Sequence, residues 1–228
     1  MTSPITPVIL AHNEEANLAR TLEGVAWARD IVVVDSFSND QTLAIAARFA
    51  NVRVFLGYMF GHPGKKLLFM GCDIGQTSEW NHNESLPWHL LHWPVHYTLQ
   101  TMVKEINWLY RREPSMYEVD DSFAGFEWID FRDSEASVIA FVRFAKDRSD
   151  FLVFVCNFTP VPRHGYRIGV PSAGEYREVF NTDAAMFGGS NVGNAGAVIA
   201  EPFASHGRPA SVRIVLPPLG MVVFKPAR

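Results

Sequence analysis

Asp35 closes the apolar run Ile31–Val34, and the carboxyl end of a buried strand is where open α/β sheets bind ligands. A carboxylate there can accept hydrogen bonds from a nucleotide's base or ribose. It can equally be a turn residue that caps the next helix, and taken alone Asp35 fits that role better. Four histidines, His82, His89, His92 and His96, invite a zinc reading. Their spacings match no paired-ligand template, no thiol joins them and Pro94 interrupts the run, so no metal is expected. They read instead as partly exposed polar positions. The same stretch is rich in Trp and Asn, and aromatic faces stack on the C–H faces of sugars. Cys72 and Cys156 fall in different apolar runs, which predicts buried, reduced thiols in a cytoplasmic protein rather than a disulfide framework.

The element around which these residues are arranged is Phe151–Cys156, FLVFVC, six apolar residues with β-branched and aromatic members. It predicts a central strand buried on both faces, ended by Pro160 and Pro162, which cannot donate to a ladder. Shorter strands are expected at Phe126–Phe131, Val138–Phe144, Tyr166–Val170, Tyr176–Phe180, Val212–Leu216 and Met221–Lys225, the pattern of a sandwich. Asp133-Ser134-Glu135 reads as the turn between two of them. Residues 184–207 look too Gly- and Asn-rich for a strand. Upstream, Leu99, Met102, Val103, Ile106 and Tyr110 share one face of a helix over Tyr97–Arg112, which Pro114 ends. The first residues read as β-α-β-α-β: strand Ile5–Ala11, a helix capped by Asn13 with Glu14 and Glu15 in its first turn, strand Ile31–Val34, a second helix from Ser38, and a third strand from Val52–Phe55.

With 48% apolar residues, 19% charged residues and a net charge of −4 across 228 residues, the chain has the balance of a globular protein. The acidic balance argues against nucleic acid or an anionic membrane as partner. No apolar run approaches the about 18 residues of a membrane span, and Met1–Ala11 shows no signal peptide.

AHNEEANLARTLEGVAW followed by DIVVVDSFSNDQTLAIAARF resembles the opening of family 2 glycosyltransferases, inverting nucleotide-sugar enzymes with a GT-A fold. The resemblance covers residues 1–55 and implies that Glu14 and Asp35 face a nucleotide. It also implies a later Asp-x-Asp for the metal–diphosphate, and the sequence holds none. From residue 56, GYMFGHPGKKLLFMGCDIGQTSEWNHNESLPWHLL, NFTPVPRHGYRIG, YREVFNTD and GGSNVGN resemble bacterial glycogen branching enzymes of the α-amylase family. That resemblance makes Lys66–Met70 the eighth strand of a (β/α)8 barrel and Tyr97–Arg112 its eighth helix. It names Asp73, Glu79, Trp80 and His82, at the strand's carboxyl end, as glucan-side candidates. Trp80, Trp88 and Trp93 would then line a seam between barrel and β domain. Retaining glycosyl transfer needs two carboxylates about 5–5.5 Å apart. The resemblance places these on earlier barrel strands that have no counterpart here, so no catalytic residue is assigned.

The expected fold is mixed α and β. An N-terminal βαβαβ fragment of a GT-A-like doubly wound sheet (1–55) precedes a barrel remnant of last strand and helix (56–115) and an all-β sandwich (116–228). The sandwich is expected to fold alone, and the first 115 residues to be loose and prone to self-association. The expected function is that of a fragment or chimera resembling a branching enzyme, which moves α-1,4-glucan segments to α-1,6 branch points without a cofactor. It would be inactive alone, with α-glucan as its partner. The alternatives are a truncated nucleotide-sugar glycosyltransferase and a non-catalytic carbohydrate-binding or interaction module.

Overall fold

A computed structural model describes Val8–Ala11, Val32–Asp35 and residues 42–227 other than Thr77 and Trp80. The chain divides into two compact units, Met1–Phe49 and Ala50–Arg228. In the first, β1 (Val8–Ala11) and β2 (Val32–Asp35) run parallel, in register from Val8 opposite Val32 to Ala11 opposite Asp35. A parallel pair needs a crossover between its strands, as the alternating apolar pattern leads one to expect. Glu14 and the helix capped by Asn13 lie outside the described residues.

The strand expected at Val52–Phe55 is instead part of a helix, α1 (Thr42–Gly61). Arg53, Val54, Leu56, Gly57, Phe60 and Gly61 are its buried positions, a helical period that the short Val-Arg-Val alternation disguises. The barrel strand expected at Lys66–Met70 is also absent: the segment is irregular and pairs with no strand among the described residues. A ladder needs a neighbouring strand to satisfy its N–H and C=O groups, and no strand among the described residues lies against this segment. The second helix, α2 (Pro94–Arg112), starts one turn earlier than the pattern suggests, with Pro94 in the first turn, where its missing N–H costs nothing. Leu99, Met102, Val103, Ile106 and Leu109 form its buried face.

The sandwich follows. Its strands are β3 (Phe126–Asp133), β4 (Val138–Phe144), β5 (Phe151–Asn157), β6 (Arg163–Val170), β7 (Gly174–Asn181), β8 (Ala197–Ala200), β9 (Ala210–Leu216) and β10 (Gly220–Pro226). One sheet has the order β3-β4-β5-β10-β7-β8, and the second pairs β6 with β9. All seven residues of β5 are buried between β4 and β10. Val153 and Val155 meet Ile168, Val212, Ile214 and Val222 in the core between the sheets. Strand β8 was hidden in the sequence by its Gly-rich flanks and its weak burial. It adds to the sheet edge with Val198 opposite Tyr176.

The opposite face of the large sheet is buried too. Phe141 and Phe154 stack with centroids 5.0 Å apart, and α1 lies against them. A Cβ added at Gly61 would lie 2.7 Å from Phe154, and one at Gly57 3.0 Å from Met221. Two glycines one turn apart thus let the helix backbone approach the sheet. Tyr58 meets Phe141 edge-on at 6.2 Å, and Phe60 meets Tyr110 of α2 at 6.4 Å. From residue 50 onward the unit is therefore helices on sheet on sheet.

Candidate functional site

Asp73 sits on a single 3-10 turn, Cys72–Ile74, between Gly71 (φ 81°) and Gly75 (φ 64°). Both glycines take the left-handed conformation that a side chain disfavours. The turn is pinned from behind, where His96 Nδ1 donates to the Ile74 carbonyl at 2.7 Å. His96 is therefore a buried anchor at 5% exposure, a correction to its reading as a partly exposed position. The turn and the outer side of α2 frame an open cleft of about 470 Å³ lined by Asp73, Tyr97, Gln100, Thr101, Val103, Lys104 and Asn107. Glu79 and His82 are exposed and are not among its lining residues. Trp80 lies outside the described residues. Trp88 and Trp93 are 51% and 63% exposed, so they do not fill a seam. Cys72 is exposed on the turn rather than buried in a strand, whereas Cys156 is buried and its thiol is pushed well up by burial. Among the described residues no three His, Cys, Asp or Glu side chains gather as a metal site requires. No helix among them is long and apolar enough to cross a membrane.

A buried charged cluster that the sequence reading missed lies elsewhere. Arg143 is fully buried within the otherwise apolar β4. It donates to the Gly61 carbonyl at 2.7 Å, to the Met116 carbonyl at 3.0 Å and to Asp120 Oδ1 at 2.7 Å. The same Asp120 oxygen accepts from the Gly64 amide at 3.0 Å. A lone Arg in VIAFVRF was the available signal, because a buried charge must find a partner. Lys66 borders the cluster, donating to the His62 carbonyl and lying 5.6 Å from the centroid of the Tyr110 ring.

Burial lowers the Lys66 ammonium from 10.5 to about 8; Asp120 opposes the shift, while Arg143 and Lys65 add to it. The folded chain thus releases this proton near pH 8, and the unfolded chain keeps it until about pH 10.5. Between these values the unfolded state binds more protons, so Lys66 makes stability rise with pH. Urea midpoints are expected to climb from about pH 8 to about pH 9.5, below the range in which the tyrosines titrate. Lys66→Met should flatten that climb, and an equal climb in the variant would assign it to other groups.

The motifs that carry the branching-enzyme resemblance fold into turn clamps. The Asp183 carboxylate gathers the Ser190 amide (2.9 Å), the Ser190 hydroxyl (2.6 Å) and the Val192 amide (3.1 Å). Glu178 accepts from the amide and the side chain of Asn194 at 3.1 and 2.6 Å, and Asn194 bridges onward to both backbone groups of Val215. Asn157 Nδ2 ties the Val161 and Pro217 carbonyls at 2.9 and 2.8 Å, joining β5 to the approach to β10. Asp133 caps its turn by accepting from the Ala136 amide and from the Tyr166 hydroxyl, at 2.9 and 2.6 Å. Turn Asp133-Ser134-Glu135 is thus structural, as its position between two strands implies.

Residues 128–227 match the family model of the alpha amylase C-terminal all-beta domain, and residues 6–57 match that of glycosyl transferase family 2. The 1,4-alpha-glucan branching enzyme GlgB 1 of Xanthomonas euvesicatoria pv. vesicatoria is 52% identical over 179 residues, 78% of this chain and 24% of that protein. The 1,4-alpha-glucan branching enzyme GlgB of Aquifex aeolicus is 51% identical over 178 residues, 78% of this chain and 28% of that protein. The chain spans about a quarter of the length of these curated relatives. Residues 128–227 are thus an all-β domain of the alpha-amylase C-terminal type, homologous to the C-terminal region of glycogen branching enzymes, on a chain whose residues 6–57 carry the glycosyl transferase family 2 pattern.

Proposed function

We propose that this chain serves α-glucan branching as an incomplete enzyme: it carries the region beside the catalytic barrel and none of the chemistry. The observation that carries this reading is the 52% identity with a 1,4-alpha-glucan branching enzyme over 179 residues. Asp73 is the sole carboxylate among the described residues of the cleft, whereas retaining transfer requires a pair about 5–5.5 Å apart. The partner under this reading is an α-glucan of glycogen or amylose type, and the free thiols Cys72 and Cys156 suit the cytoplasm. Purified chain incubated with amylose is expected to leave the iodine colour unchanged and to form no α-1,6 linkages. New branch points above a blank would sink the claim that the chain is incomplete.

A second reading, a nucleotide-sugar glycosyltransferase, is favoured by one feature. Asp35 stands at the carboxyl end of a parallel strand, opposite Ala11, where such sheets take ligands. With no Asp-x-Asp to hold a metal against a diphosphate, affinity should be weak. Calorimetry with a UDP-sugar and manganese is expected to give a dissociation constant above about 10 μM, or about −7 kcal/mol. Tighter binding would place this reading first.

A further inference from the structure

We propose that the outer face of the β6–β9 sheet binds a phosphate dianion between the guanidinium groups of Arg167 and Arg213. A phosphate site there stands whether or not the chain serves branching.

Arg167 of β6 lies directly opposite Arg213 of β9. Two positions along, Ser211 donates its amide to the Glu201 carbonyl and accepts the Glu201 amide, so it exchanges no such pair of bonds with its β6 neighbour Gly169. Antiparallel pairs alternate, and a step of two residues makes Arg167–Arg213 a non-hydrogen-bonded pair as well, the kind whose Cα atoms stand about 4.5 Å apart. Ile168, Val212 and Ile214 face the core, which turns both arginines outward. Like charges directly opposite each other disfavour a sheet, and this doublet sits on a chain whose net charge is −4. Among the described residues, the only carboxylate in ion-pair range of either arginine is Glu201, 3.5 Å from Arg167 and with its side chain 64% exposed. Water largely screens such a contact. Arg213 is exposed and has no ion pair among the described residues.

Arg167 is held in place. Its Nη1 donates to the Ser211 hydroxyl at 2.6 Å, and its guanidinium lies 4.7 Å from the centroid of the Phe203 ring. Ser211 is fully buried, so that bond fixes one end of the fork. The ring covers the flat face of the guanidinium and leaves edge N–H groups for acceptors in its plane. Guanidinium forks take phosphate oxygens two at a time, and a dianion matches a doublet of positive charge where a single carboxylate would neutralise half of it. Phe203 is itself 58% exposed beside the pair, an apolar surface for the sugar ring of a sugar phosphate. Free phosphate offers the same oxygens, so the test carries both sources.

Calorimetry on the full chain at low salt uses inorganic phosphate and glucose 6-phosphate as probes and acetate as a monoanion control. Phosphate is expected to bind with a dissociation constant below about 1 mM, and acetate at least tenfold more weakly. Arg213→Ser, at an exposed position, should weaken phosphate at least tenfold without lowering the urea midpoint. Arg167→Lys keeps the charge but not the fork and should weaken it at least threefold. Glu201→Gln removes the competing carboxylate and should tighten it at least twofold. Arg177→Ser, on β7, replaces an exposed arginine that has its own partner in Glu175 and should change nothing. A threefold tighter glucose 6-phosphate, with the gain lost in Phe203→Ala, assigns the anion to a sugar; equal affinities assign it to free phosphate, and either result upholds the site. No binding with probes at about 10 mM, phosphate binding that Arg213→Ser leaves intact, or acetate binding as tightly as phosphate would overturn it.

Discussion

Replacing Arg143 with methionine is expected to cost about 3–5 kcal/mol, the cost of leaving one partner of a buried ion pair alone. Methionine keeps much of the volume, so the loss is mainly electrostatic. Asp120, whose side chain is 8% exposed, would lose its cation. The carbonyls of Gly61 and Met116 would lose their shared donor. Burial already lowers the Arg143 pKa, against the pull of Asp120, which marks how strongly this site resists a charge. An Asp120→Leu partner change should therefore restore part of the loss, because an apolar pair needs no desolvation. Full recovery is not expected, since the two carbonyls and the Gly64 amide stay unpaired. Urea unfolding of the single and double variants measures both values. A loss under about 1 kcal/mol in the single variant would show that water reaches the site.

This cluster also marks where the sequence was readable and where it was not. The seven strands expected in the last half all exist, and Val138–Phe144 agrees to the residue. Their alternation is written into each strand by a core on one side and a second layer on the other. Short apolar runs were less legible. Val52–Phe55 and Lys66–Met70 have the composition of strands, yet one lies in a helix and the other joins no sheet among the described residues. What decides between these outcomes is the neighbour, and neighbours are not encoded locally. Asp73 lines a cleft, and Glu79 and His82 are not among its lining residues. The conspicuous Asn- and Gly-rich motifs fold as turn clamps. Their side chains spend their hydrogen bonds on backbone groups that loops leave unpaired.

A chain cut to residues 116–228 is expected to aggregate or to unfold without cooperativity, whereas residues 50–228 should unfold in one transition. Strand count alone favours the shorter piece, which contains the whole sandwich at a common domain size. The faces of the large sheet argue otherwise. Val153, Val155 and Val222 turn toward β6 and β9, but Phe141, Phe154 and Met221 are fully buried on the other side. Part of their cover is α1, whose glycines at 57 and 61 touch Met221 and Phe154. Val54, Leu56 and Phe60 of that helix are 2–3% exposed, and five apolar residues of α2 are buried as well. Each such side chain contributes about 1.5–3 kcal/mol when withdrawn from water. Losing several of them removes as much as the about 5–15 kcal/mol by which a whole domain is stable. The cut also takes Gly61 from Arg143, leaving a buried guanidinium short of a partner. Tryptophan fluorescence, near-ultraviolet dichroism and sedimentation of the two fragments decide the matter. A monomeric 116–228 with a sharp urea transition would mean that the helical layer merely rests on the sandwich, and the Arg143 variant should then be mild as well.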